Sequence, residues 1–203
     1  ANPLHQPGRI LDTMKDLVSP TVSPAPNLAR SDRWSEKLWF NALWFQTTWF
    51  CLVLGRESLL PVSGALILLH LVLVRDPWNE LLRLSSIAAI GVSVDAVLSY
   101  SGLFYFPGDV LVPLWLCCLW LTFATTLTRS LAWLGRHPLL TGLVGAVALP
   151  LNYWAGQRLG AVEFPQPLFV TLGTMALLWL VTLPLMYRVS KFLAEAEKTE
   201  STT

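Results

Sequence analysis

Charge is what this sequence has least of. Only 13% of its 203 residues are Asp, Glu, Lys or Arg, about half the share of an ordinary soluble domain, and the formal sum is +1. The cations stand singly between apolar runs and form no basic stripe, which excludes nucleic acid as a partner. Histidine is nearly as scarce, with His5, His70 and His137 the whole supply. That excludes a histidine-rich di-iron site and a haem held by two histidines across a bundle. The three cysteines, Cys51, Cys117 and Cys118, all lie inside apolar runs. The adjacent pair points to different sides of a helix, so neither a disulfide framework nor a zinc knuckle is available. There is no glycine-rich phosphate loop and no C-x-x-C. No metal and no cofactor is expected.

What fills the chain instead is hydrocarbon, at 54% hydrophobic residues and a mean hydropathy of +0.53. Apolar runs cover residues 38–54, 59–74, 84–106, 111–134, 139–155 and 168–187, each bounded by charged residues, Gly or Pro. Runs of this length predict transmembrane helices. The fold class is therefore all-α, a polytopic membrane protein built as a six-helix transmembrane bundle. Residues 1–33 carry Pro3, Pro7, Pro20, Pro24 and Pro26 and read as a disordered cytoplasmic tail. The bundle occupies 34–189, and 190–203 form a charged cytoplasmic C-terminal tail. With the N-terminus inside, most Lys and Arg residues fall in cytoplasmic loops and only Arg56 and Arg158 in outer ones, so both termini are placed in the cytoplasm. The motif G-x-x-x-F-P occurs twice, at Gly102–Pro107 and Gly160–Pro165, and loop chemistry alone favours two similar turns over a duplication.

Polar residues inside the runs are the candidate site. At helical spacing Cys118, Thr122, Thr125, Thr126 and Arg129 share one face of the run 111–134. A threonine hydroxyl hides by bonding the carbonyl a turn behind it, whereas a guanidinium needs a partner or the headgroups. Asp95 sits near the middle of its run, flanked on one face by Ala88, Gly91, Ser99 and Gly102, small residues that let another backbone come close. It is read either as a proton, ion or ligand site or as a polar clamp. Asn41 and Gln46 stand in the first run, where interhelical glue is the simpler reading, and His70 near the end of the second. Asp95 and Arg129 are expected to face each other, with Thr125 and Thr126 as relays. The polar pocket thus comprises Asn41, Gln46, His70, Asp95, Thr122, Thr125, Thr126 and Arg129, open toward the cytoplasmic side, and Asn152, Tyr153 and Arg158 form an outer rim. Ser63 and His70 lie about 10 Å apart along the helix axis, too far for a nucleophile and base. Asp95 has no acidic partner for aspartic-protease chemistry.

The runs WFNALWFQTTWFCLVLG, DAVLSYSGLFYFPGDVLVPLWLCCLWLTFATTLTRSLAWL and LPLNYWAGQRLGAVEF together resemble a bacterial inner-membrane family, domain of unknown function 2878, over about residues 38 to 187. The resemblance implies the bacterial inner membrane and no assigned activity. It singles out Asn41, Gln46, Asp95, Phe123, Ala124, Thr125, Thr126 and Ser130. The expected function is the binding of a small amphipathic or lipid-like ligand, or a place as accessory subunit in a membrane assembly. Small-solute or proton-coupled transport comes second and a membrane-embedded lipid-modifying enzyme third, since no complete catalytic set assembles. Membrane lipid, and a membrane-protein partner or a second copy, are the expected partners.

Overall fold

The computed structural model describes residues 38–74 and 76–200, so the expected tail at 1–33 lies outside the described residues. Six helices follow in order: α1 Leu38–Gly55, α2 Leu60–Leu73, α3 Pro77–Tyr100, α4 Leu114–Thr128, α5 Pro138–Arg158 and α6 Leu168–Glu200. Short 3-10 turns stand at Arg56–Leu59 and Leu134–Arg136. Among the described residues, four helical stretches are long and apolar enough to cross a membrane: Asn41–Leu73, Pro77–Tyr100, Pro138–Arg158 and Leu168–Ala196. The first joins α1 and α2 across the 3-10 turn, and α4 is a shorter apolar helix.

Side-chain bonds fix the direction of each helix. Asn41, near the start of α1, meets Ser130 just past α4, and Arg56, just past the end of α1, meets Gly160 just past α5. His70, near the end of α2, is back beside Glu80 at the start of α3. Hence α1 and α2 form a hairpin. In α6, Tyr187 donates to the Leu131 carbonyl past the end of α4. Each helix runs against the one before it. Glu80, Arg83, Arg129 and Tyr187 gather at one end, here the basic end, and Arg56, Tyr105, Gly160 and Glu163 at the other, here the turn end.

Local chemistry sets the boundaries. Asp76 caps α3 by accepting from the Asn79 N–H at 3.2 Å, and Pro77 follows at the first helical position, where its missing N–H costs nothing. The helix therefore starts at Pro77 and not at Leu84, which brings Glu80 into the bundle. At the other end the run 84–106 stops being helical at Tyr100. There α3 and α5 finish alike. Gly102 and Gly160 take φ values of 73° and 71°, open to glycine at little cost. The next residues reach back across the turn, Leu103 N–H to Leu98 at 3.0 Å and Ala161 N–H to Gly156 at 2.8 Å. Tyr105 and Glu163 then exchange backbone hydrogen bonds of 2.9 and 2.8 Å as an antiparallel pair. The two G-x-x-x-F-P turns, read as independent, are joined to each other.

Helix α5 packs most extensively on α6. A Cβ on Gly142 would stand 2.7 Å from the Leu180 carbonyl oxygen, and one on Gly145 2.5 Å from that of Trp179, so only glycine lets the two backbones come this close. The charged residues from 190 onward continue α6 to Glu200 rather than leaving it. The core is aromatic: Trp120 stacks on Trp179 at 5.2 Å between centroids, and Phe104 on Tyr153 at 5.4 Å. Outside, Tyr100, Leu139, Phe169 and Leu177 are exposed, an apolar surface that suits lipid.

Candidate functional site

At the basic end Glu80 is 2% exposed and holds three partners. Its Oε1 lies 3.2 Å from His70 Nε2 and accepts from Arg129 Nη2 at 3.1 Å, while its Oε2 accepts from Arg83. One carboxylate thereby ties α2, α3 and the segment after α4. The expected pairing of Asp95 with Arg129 is not formed. Helix α4 ends at Thr128, leaving Arg129 as its C-cap with φ −127° and ψ −87°, and the guanidinium turns to Glu80. The threonines explain part of this. Thr122 donates to the Cys118 carbonyl at 2.9 Å, Thr125 to Thr122 and Thr126 to Phe123 at 2.7 Å each, as expected of buried hydroxyls. Such bonds compete with the helical ladder and favour bending or ending it. Thr122, Thr125 and Thr126 relay nothing to Asp95.

Beside this cluster Asn41 is 3% exposed and held at both ends of its amide. Its Nδ2 donates to Thr125 Oγ1 at 3.3 Å, and its Oδ1 accepts from Ser130 Oγ at 2.7 Å, which docks α1 on α4. Gln46 is exposed on the opposite side of α1 and joins neither group. The eight expected pocket residues are thus not one pocket. They divide into the Glu80 cluster, the Asn41 cluster, a separate Asp95 site, two threonines bonded to carbonyls of their own helix and one outward-facing glutamine.

Asp95 is fully buried in mid-bundle, and its partners are aromatic. Trp120 Nε1 donates to Oδ2 at 2.6 Å and the Tyr153 hydroxyl to Oδ1. No cation reaches it among the described residues. The small residues around Asp95 do what their spacing suggests: any Cβ on Gly91 would overlap the Trp120 indole, so the glycine makes room for the ring that bonds Asp95 one turn on. Tyr153, expected on the outer rim, is buried here instead. Asn152 is exposed and donates to the Ala148 carbonyl at 2.8 Å, and Arg158 is exposed on the last turn of α5.

A cavity of about 90 Å³ lies on the far side of those two rings. Phe45, Trp49 and Val53 of α1 roof it, residues of α4 between Trp115 and Phe123 and of α5 between Leu149 and Gly156 wall it, and Phe106, Ala161 and Val162 line it at the turn end. Its volume is several times the roughly 10–15 Å³ that holds one water. The polar atoms of Trp120 and Tyr153 are turned away toward Asp95, so Asn152 at the edge is the one amide among the lining residues. Helices α1 and α5 do not pack closely on each other, which leaves the cavity between them. Asp95 acts on this cavity through the two side chains it orients.

A family model described as a protein of unknown function, DUF2878, matches residues 38–185. The chain belongs to this family. No curated protein and no solved structure matches it. The family match covers both clusters, Asp95 and the cavity, and of the residues singled out by the resemblance, Asn41, Thr125 and Ser130 meet in one hydrogen-bonded group. Phe123 lines the cavity.

Glu80, Trp120 and Trp179 were absent from the sequence reading. Glu80 was recoverable: the buried stripe Asp95, Gly91, Ala88, Leu84, followed backward at helical spacing, lands on it, and Arg83 stands one turn away. The tryptophans gave no such signal, because a Trp in an apolar run is equally at home against lipid.

Proposed function

We propose that this chain is a six-pass protein of the bacterial inner membrane, with both termini in the cytoplasm, that binds a lipid-like molecule in the aromatic cavity. The observation that carries this reading is the cavity: a slot walled almost wholly by apolar and aromatic side chains, lying where α1 and α5 leave a space between them. Such a space favours hydrocarbon over water, which finds few partners there. The α1–α2 hairpin supports six passes. Orientation is supported by Arg83, Arg129, Arg136, Arg188 and Lys191 at the basic end against Arg56 and Arg158 at the turn end. Helices α2 and α4 are short, which local thinning of the bilayer accommodates.

The test is extraction. The full chain, purified in detergent, should retain lipid detectable by mass spectrometry of the organic extract. Gly156→Leu should retain much less while keeping its helical circular dichroism. A Cβ at that position meets only Val162, at 3.6 Å, and Gly156 lines the cavity, so the added side chain is expected to fill part of it. Equal lipid in a well-folded Gly156→Leu protein would refute the reading.

A further inference from the structure

We propose that the ligand is a lipid phosphate, with one chain in the aromatic slot and its phosphate bound by Arg56 at the turn end. This rests on the lipid reading of the cavity and adds the headgroup. The slot follows α1 from Phe45, whose ring meets Phe123 at 5.8 Å, to Val53, a length of about 12 Å at 1.5 Å per residue. The Phe45–Phe123 end has only aromatic and aliphatic side chains among its lining residues, so a headgroup belongs at the other end, beside Phe106, Ala161 and Val162. Arg56 stands there, one turn beyond Val53, and donates to the carbonyl of Gly160, the neighbour of the lining residue Ala161.

Two features set this arginine apart from a solvated surface charge. Its backbone is left-handed at φ 45°, a conformation uncommon for a residue with a Cβ and a pointer to function where the surroundings hold it. That turn carries the side chain off the end of α1 and across to the α5 turn at Gly160. Its guanidinium also makes only the Gly160 bond among the described residues, and the buried Nε–H has no acceptor. The neighbouring Glu57 is exposed and makes no ion pair with it. A guanidinium anchored through one amino group, with further donors uncommitted at headgroup depth, suits a phosphate oxygen, which forms charge-assisted bonds in this geometry.

The experiment titrates the detergent-purified full chain, reading the fluorescence of the cavity tryptophans, with three probes: dioctanoyl phosphatidylglycerol, dioctanoylglycerol and glycerol phosphate. The phospholipid should bind about tenfold tighter than the diacylglycerol, and glycerol phosphate should not bind. Arg56→Asn, chosen because asparagine tolerates the left-handed backbone, should lower phospholipid affinity to the diacylglycerol level, and Arg56→Lys should restore part of it. Equal affinity of the wild-type chain for the two lipids would overturn the phosphate assignment and leave the cavity reading standing. Tight binding of glycerol phosphate would show a free-phosphate site and overturn the lipid assignment. Saturation by neither lipid would overturn both proposals.

Discussion

Asp95 and Glu80 are two buried carboxylates with opposite company, one held by aromatic donors and the other by cations. Removing a partner should therefore have different consequences. Tyr153→Phe leaves the Asp95 carboxylate with one donor, and a loss of about 1–3 kcal/mol in unfolding free energy is expected, measured by denaturant titration in detergent. Glu80→Ala strands His70, Arg83 and Arg129 around an absent acceptor, and a larger loss of about 3–5 kcal/mol is expected. Combining Glu80→Gln with Arg129→Gln should cost less than the sum of the two, whereas additive losses would deny their coupling. Asp95 was legible as buried because small residues share its face. Its partners were not, since Tyr153 sits near a helix end and reads as rim. The expected Asp95–Arg129 pair fails because the apolar run 111–134 is not one helix, and apolarity does not reveal where hydroxyls divert the backbone.

The helices themselves were readable almost to the residue where Gly, Pro and charge close a run, as in α1 and α2, and poorly so in α3, where the capping Asp76 and Pro77 begin the helix inside a segment that reads as loop. The close contact of α5 with α6 is equally visible in sequence as Gly142 and Gly145, and it sets a sharp test. Gly145→Leu should separate the two helices and lower the melting temperature markedly, because the Trp179 carbonyl has no room to retreat. Gly173→Ala on α6 meets nothing within 4 Å and should be neutral or slightly stabilising, since alanine favours the helix. Equal effects from both would mean that helix propensity and not backbone approach sets stability there.

For the molecule as a whole, the proposed orientation makes the turn end external. In a background free of Cys51, Cys117 and Cys118, a thiol at Glu163 should react with an impermeant reagent in intact cells, and one at His137 only after permeabilisation; the reverse pattern would invert the topology. The paired turns also give hairpins α3–α4 and α5–α6 matching places in the sequence. Tyr153 stands as far before Gly160 as Asp95 stands before Gly102, and the two bond each other, while Trp120 and Trp179 stack from nearly matching places beyond those glycines. The likeness stops at the packing: α3 lies against α6, whereas α4 and α5 keep apart, and the α1–α2 hairpin packs on α4 and roofs the cavity in between. Along the α3–α6 side, Val94, Val97 and Leu178 line a shallow groove that no described helix covers. The molecule is therefore lopsided, with one long side of the bundle roofed by a hairpin and the other left bare to its surroundings.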